Sequence, residues 1–187
     1  TIYAEYFRTD FLNQMITDLD VNASEARISN LHGKSFSNNY QVEVSLKPVR
    51  GLEVVTALRM SDVRATYNDT LRERPLTNTY KGLLQLSYQT PMRKWQFDFT
   101  SQFNGGGRLP STYGMSERRF APYTIFNAQI TKYFLKWNVY LGVENIGNFV
   151  QHTPIISADK PYSASFDGST IWGPVKGRMV YGGFRII

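Results

Sequence analysis

Residues 95–104 read WQFDFTSQFN, and this run gives the clearest structural signal in the chain. Apolar and polar side chains alternate along it with a period of two, which predicts a β-strand with one apolar and one polar face. One face carries Trp95, Phe97, Phe99, Ser101 and Phe103, and the other carries Gln96, Asp98, Thr100, Gln102 and Asn104. A strand with this pattern lies between water and an apolar medium.

The same period recurs along the chain and predicts eight antiparallel strands, at 3–18, 40–48, 52–66, 80–90, 95–104, 123–134, 137–144 and about 177–187. In the first strand we expect Tyr3, Phe7, Phe11 and Met15 on the apolar face. In the last strand we expect Val180, Phe184 and Ile186 on the apolar face and Tyr181 and Arg185 on the polar face.

The connections between the predicted strands are alternately short and long. Tight turns are expected at 47–51, 90–94 and 134–136, and long loops rich in turn-forming residues at roughly 19–35, 68–79, 105–122 and 146–176. Short turns at one end and long loops at the other are typical of an outer-membrane barrel, with the short turns in the periplasm. The predicted fold class is therefore all-β, an antiparallel transmembrane β-barrel segment of eight strands.

Aromatic residues near the strand ends support a membrane location over a soluble sandwich, whose buried face would be mostly Val, Leu and Ile. Tyr80 and Tyr88 flank one apolar face, in the manner of the aromatic girdles of outer-membrane barrels. The residues expected to face lipid are Trp95, Phe97, Phe99, Phe103 and Trp137, with Val139 and Leu141. Those expected to face a wet lumen are Gln96, Asp98, Gln102, Asn138 and Glu144.

Composition narrows the classes of protein further. The 187 residues have a mean hydropathy of −0.35, and no run approaches the length of an apolar transmembrane helix. There is no cysteine, so neither a disulfide framework nor a thiolate metal site can form. The net charge of +6 is spread along the chain without a basic stripe, so no nucleic-acid partner is expected. Strand-like residues begin at once, without a signal peptide, which is expected of a mature chain or of the C-terminal piece of a longer one.

Several stretches resemble the C-terminal barrel strands of TonB-dependent outer-membrane receptors, in particular those of the Bacteroidetes type. The most specific are GVENIGNF at 142–149 and IWGP at 171–174, which is followed by GRMVYGGFR at 177–185. Residues 7–18 and 30–35 carry weaker resemblance. The closing stretch resembles the terminal strand that the barrel-assembly machinery reads, although family members commonly end on an aromatic residue and this chain ends Arg185-Ile186-Ile187.

The resemblance implies that residues 1–187 are the C-terminal portion of a barrel of 22 strands, with a plug domain and an energy-coupling box outside this chain. It implies an active-transport receptor of the bacterial outer membrane that imports a scarce nutrient: a metal chelate, siderophore, haem, cobalamin or glycan. The implied partners are outer-membrane lipid and lipopolysaccharide, the plug and earlier strands, the TonB complex and a surface lipoprotein. The alternative is a complete eight-stranded barrel acting as an adhesin or rim enzyme, in which 3–18 would pair with 177–187.

Candidate ligand contacts lie in the long loops. Guanidinium groups pair well with carboxylates, so Arg108, Arg118 and Arg119 are candidates for an anionic ligand, while contact with lipopolysaccharide phosphates or plain solvation is the alternative. His152, Asp159 and Asp167 share one loop, but no nucleophile motif accompanies them. We therefore expect no catalytic residue, no metal site and no cofactor. The candidate vestibule residues are Arg108, Tyr113, Arg118, Arg119, Tyr162, Phe166 and Trp172.

The loop at 146–176 is too apolar for a freely solvated tip, since it carries Tyr162, Phe166, Ile171 and Trp172. We expect these four side chains to pack against neighbouring loops or the inner wall. The strand directions place this loop and 105–122 at the same end of the barrel, where both are expected to approach the lumen axis.

Overall fold

The computed structural model describes residues 1–22, 25–111 and 117–186, and β-strands make up most of this part. The strands are β1 Ile2–Asp10, β2 Met15–Asn22, β3 Glu25–Asn30, β4 Ser35–Val49, β5 Leu52–Tyr67, β6 Thr70–Glu73, β7 Tyr80–Gln89, β8 Trp95–Asn104, β9 Gly107–Arg108, β10 Arg119–Phe120, β11 Tyr123–Tyr133, β12 Trp137–Glu144 and β13 Met179–Ile186. One 3₁₀ turn spans Pro91–Arg93. In the described ranges, no helix has the length and apolarity needed to cross a membrane.

One antiparallel sheet carries eight strands in the order β1-β4-β5-β7-β8-β11-β12-β13, with β6 added beside β5. The pairs β2–β3 and β9–β10 form separate hairpins in the loops. β1 and β13 are the two edges and do not pair with each other in the described part of the chain. The sheet is therefore open, and the alternative of a closed eight-stranded barrel is wrong for this chain.

The two faces of the sheet follow the predicted alternation in β8 and β12. Phe99 stands opposite Leu86 and Ala128, and Phe97 stands opposite Tyr88, so apolar side chains of neighbouring strands share one face. Phe97, Phe103, Trp137 and Leu141 on this outer face are 39–55% exposed. On the opposite face Asp98 accepts hydrogen bonds from Ser87 and Gln96. This apolar face is open among the described residues, as the lipid-facing prediction requires and unlike the buried face of a sandwich.

The hydrophobic side chains that are buried lie at the loop end of the sheet rather than between layers. Within the described ranges these are Leu31, Ala65, Tyr67 and Phe120. The closed core of this chain therefore belongs to its loops.

The first strand departs from the prediction in extent and in face. β1 ends at Asp10, and Asn13 then takes a left-handed conformation with φ of 54°, after which the chain turns into β2. Tyr3 stands opposite Glu43 and therefore lies on the polar face, as does Phe7. The apolar face carries Ile2, Ala4 and Tyr6 instead. A shift of one position exchanges the two faces of a strand, so aromatic rings at 3 and 7 were a misleading guide.

The connections confirm the short and long ends. At the short end, Arg50 and Gly51 form a two-residue hairpin in which Gly51 has φ of +86°, a conformation that favours glycine. The turns at 90–94 and 135–136 lie at the same end. The loops 11–34, 68–79, 105–122 and 145–178 lie at the other end, and the first begins earlier than predicted because it contains the β2–β3 hairpin.

Candidate functional site

A buried ion pair joins two long loops that are distant in sequence. Arg108, on β9, donates from Nη1 to Oδ2 of Asp20, on β2, at 2.7 Å, and both side chains are 0% exposed. The other carboxylate oxygen, Oδ1, accepts from the backbone N–H of Ser111 at 3.0 Å. The pairing fixes loop 105–122 against loop 11–34.

Loop 68–79 joins the same cluster. Arg72 lies 3.5 Å from the Asp20 carboxylate, and the carbonyl oxygen of Glu73 accepts from Arg108 Nε at 2.7 Å. The Glu73 carboxylate pairs with Arg119 of β10 at 2.9 Å. We call these five residues, Asp20, Arg72, Glu73, Arg108 and Arg119, the ionic clasp, because they connect three of the four long loops.

Tyr67 forms one wall of the ionic clasp. Its side chain is 4% exposed, and the Arg108 guanidinium carbon lies 5.8 Å from the ring centroid. Burial raises the pKa of the Tyr67 phenol above its usual value, against a smaller opposing effect of the Arg108 charge. The neutral phenol is therefore the form that the folded loops favour.

The three arginines predicted to contact a ligand have different environments in the structure. Arg108 is a loop-joining residue, since burial and its bonds to Asp20 and Glu73 keep its guanidinium away from the surface. Arg119 is 44% exposed beside Glu73, and Arg118 is exposed. Tyr113 lies outside the described residues. Arg118 and Arg119 are thus the basic side chains of this loop that a ligand could reach.

A stack of four aromatic rings joins loop 105–122 to loop 145–178. Phe120 lies parallel to Trp172 at 5.2 Å between centroids, and Tyr123 lies parallel to Phe149 at 4.9 Å. The Tyr123 and Trp172 rings approach to 5.5 Å and connect the two pairs. Contacts of this kind contribute beyond the burial of apolar area. They confirm that the two loops lie at the same end of the sheet and that Trp172 packs on a neighbouring loop.

Amide side chains hold loop 145–178 in a folded shape. Asn145 bonds to both the N–H and the carbonyl oxygen of Phe149, at 2.9 and 2.7 Å. Gln151 is 3% exposed; its Oε1 accepts from the backbone N–H groups of Trp172 and Gly173, and its Nε2 donates to Thr170. These bonds satisfy backbone groups that a loop would otherwise leave without partners.

The expectation that all four apolar side chains of this loop pack inward is wrong for two of them. Tyr162 is fully exposed and Ile171 is 48% exposed, while Phe166 is half-buried. A bridge between Ile156 and Asp167 closes a small subloop, and Tyr162 lies at its tip. The subloop satisfies its own backbone through turns, so nothing draws the Tyr162 ring toward the described wall.

Sequence reasoning missed Asp20, Glu73, Asn145 and Gln151. Asp20 and Arg108 are 88 positions apart, and no local spacing relates them. Nothing in the sequence around Gln151 distinguishes it from other polar loop residues. In the described part of the chain, no three side chains of the metal-ligating types come together.

Comparison with solved structures finds folds similar to this one among receptors and transporters named for iron compounds. The ferric enterobactin receptor PfeA of Pseudomonas aeruginosa, in a mutant form, matches with a TM-score of 0.68 and 15% identity, over 98% of this chain and 28% of that chain. The ferric-catecholate import receptor Fiu of E. coli K12 matches with a TM-score of 0.67 and 15% identity, over 100% of this chain and 25% of that chain. The FrpB iron transporter of Neisseria meningitidis gives 0.63 and 14%, over 98% of this chain and 28% of that chain.

No family model matches the chain, and no curated protein matches it. The chain spans about a quarter of the length of the receptors whose structures it matches. At this identity the likeness shows the fold alone: an open antiparallel sheet with long loops at one end, similar to part of the barrel wall in these structures.

Proposed function

We propose that this chain supplies part of the wall and extracellular loops of an active-transport receptor in the bacterial outer membrane. The receptor binds a scarce nutrient at its loops and imports it with energy delivered through TonB. The chain is the C-terminal portion of the barrel, and the plug and the earlier strands complete it. It has no enzymatic role.

The observation that carries this proposal is the asymmetry of an open, one-sided sheet. Its outer face is apolar, its inner face is polar, and all four long loops lie at one end. Edge strands expose unpaired backbone groups, which proteins avoid, so β1 and β13 require strands from elsewhere in a larger barrel. The match to import receptors over nearly the whole chain supports the same role.

The exposed side chains of the loops indicate the class of ligand. Arg118 and Arg119 present positive charge next to Phe120 of the aromatic stack, and Tyr162 presents an exposed ring at the tip of the 156–167 subloop. Such groups suit an anionic compound that can also stack on aromatic rings, such as a ferric chelate. PfeA and Fiu take ferric enterobactin and ferric catecholates, which supports a metal chelate over haem, cobalamin or a glycan.

The test uses the full receptor in its own cells, with residues 146–176 deleted and a short turn in their place. We expect uptake of radiolabelled ferric chelates to fall to the background of a strain lacking the receptor, while the protein still fractionates with the outer membrane and still shifts on unheated gels. A second variant, Arg118→Gln, leaves the ionic clasp intact and should weaken uptake without altering assembly. The transport role would be overturned if cells with the native receptor took up every tested iron chelate, haem, cobalamin and glycan no faster than the receptor-null strain.

A further inference from the structure

The outer face carries an open apolar groove across β7, β8, β11 and β12. Its volume is about 520 Å³, within the range of ligand sites. Ala128 forms the floor, since it stands opposite Phe99 on one side and Val143 on the other. The rims are larger side chains: Leu86, Tyr88, Phe97, Ile130 and Leu141.

One cation stands at the short-turn end of this groove. Lys132 lies opposite Trp95 and Val139, so its side chain belongs to the outer face. Its Nζ sits 4.7 Å from the Trp95 ring centroid and 5.3 Å from that of Phe134. Lys132 forms no ion pair with any described residue, and every other outer-face position of β7, β8, β11, β12 and β13 is uncharged.

From this arrangement we propose a phospholipid site, which rests on the membrane location proposed above. Lys132 binds the phosphate of an anionic phospholipid, and one acyl chain lies in the groove over Ala128. A lysine on a lipid-facing strand is costly at the bilayer centre and tolerated near the interface, where its stem can extend toward phosphate. The ring contacts with Trp95 and Phe134 hold the ammonium group at that level.

The position of Lys132 selects the periplasmic leaflet. It lies at the end of β11 next to the turn at 135–136, and short turns face the periplasm. The neighbouring turns carry Arg93, Lys94 and Lys136 and no acidic residue, so this rim attracts anions. Lipid A belongs to the opposite leaflet, which leaves a phospholipid such as phosphatidylglycerol as the occupant.

The test measures lipid binding by the purified full-length receptor. Spin-labelled phosphatidylglycerol is added to the receptor in phosphatidylcholine bilayers, and the motionally restricted fraction gives the relative affinity. Lys132→Gln should lower the affinity for phosphatidylglycerol about fivefold, since one lysine near an anionic lipid contributes about 1 kcal/mol. Lys132→Arg should retain it. Ala128→Leu should lower the affinity with the charge intact, because it fills the groove.

Lys81→Gln is the matched control, since it removes the same charge from the lumen face, where Lys81 stands opposite Asn104. It should leave the lipid affinity unchanged. Equal affinity of the native receptor for spin-labelled phosphatidylcholine and phosphatidylglycerol, tighter binding of purified lipid A, or no effect of Lys132→Gln would each overturn the site. Failure of the receptor to fractionate with the outer membrane would instead overturn the proposed function.

Discussion

Replacing Asp20 by Asn tests whether the ionic clasp holds the loops together. The Asp20 carboxylate is fully buried and bonds to Arg108 at 2.7 Å, so its neutralisation removes the nearer counterion of a buried guanidinium and leaves it the longer pair with Glu117 at 3.9 Å. Breaking a buried pair in this way costs about 3–5 kcal/mol. Asn retains an acceptor for the Ser111 N–H, which favours the lower end of that range.

The cost should fall on the loops and spare the barrel wall. About 3 kcal/mol corresponds to roughly a hundredfold rise in the population of opened loops. Amide hydrogen exchange of the full-length protein reports that population, because local opening controls exchange. We expect peptides from β2 and β3 to exchange roughly a hundredfold faster in Asp20→Asn, and peptides from β4 and β8 to be unchanged.

Two further variants separate the effect of the buried pair from that of an exposed charge. Glu25 pairs with Arg27 at the exposed tip of the same hairpin, and Glu25→Gln should change exchange by threefold at most. The double variant Asp20→Leu with Arg108→Met removes both charges and should exchange more slowly than Asp20→Asn, since apolar replacement of a buried pair is often neutral or stabilising, while the loss of the acceptor for the Ser111 N–H keeps exchange above the native rate. Normal exchange in Asp20→Asn, or equal loss in the single and double variants, would refute the role of the pair.

Three other outcomes follow from the same geometry. Phe99→Arg, on the outer face at mid-strand, should cost about 2–4 kcal/mol in a denaturant titration of folding into bilayers, and no cost would mean that this face does not meet lipid. Burial raises the pKa of Tyr67, so the contribution of its neutral phenol to loop stability is complete below about pH 10 and is lost as the pH rises through the raised pKa. Near-ultraviolet circular dichroism should record this alkaline loss of loop structure in the native protein and its absence in Tyr67→Phe. Asn145→Ala removes both bonds to Phe149, which should cost about 1–3 kcal/mol and show as faster proteolysis within 146–176, whereas unaltered proteolysis would count against the amide as the support of the loop.

The wall of the barrel was predictable because its signal is local. A strand in a membrane meets lipid on one side and water on the other, so each position reports its own environment through the period of two. This is why the limits of β12 match the predicted 137–144 and the faces around Phe97 and Asp98 are as expected. The predicted faces of β1 were wrong because they depended on two aromatic residues, Tyr3 and Phe7, whose rings are compatible with a lumen wall as well as with lipid.

The loops could not be predicted in the same way, because their stability depends on contacts between distant segments. Charge made Arg108 resemble a ligand contact, but its function in the fold is set by Asp20, which belongs to another loop. Apolarity made Tyr162 and Trp172 resemble each other, yet only Trp172 meets the Phe120 ring. Residue type indicates what a side chain can do, whereas the partner decides what it does.

The β9–β10 hairpin is the mechanical link between the two halves of the loop region. Arg108 and Arg119 stand opposite each other across it, and Phe120 follows directly. The hairpin therefore binds Asp20 of loop 11–34 through charge and Trp172 of loop 145–178 through ring stacking. A side chain at position 107 would collide with the Thr77 carbonyl oxygen and the Phe120 ring, so the hairpin backbone lies close to loop 68–79. The charge pair, the Arg108 bond to Glu73 and the Phe120–Trp172 stack therefore connect all four long loops through the β9–β10 hairpin, so a change in any one of these contacts should be felt by the other loops.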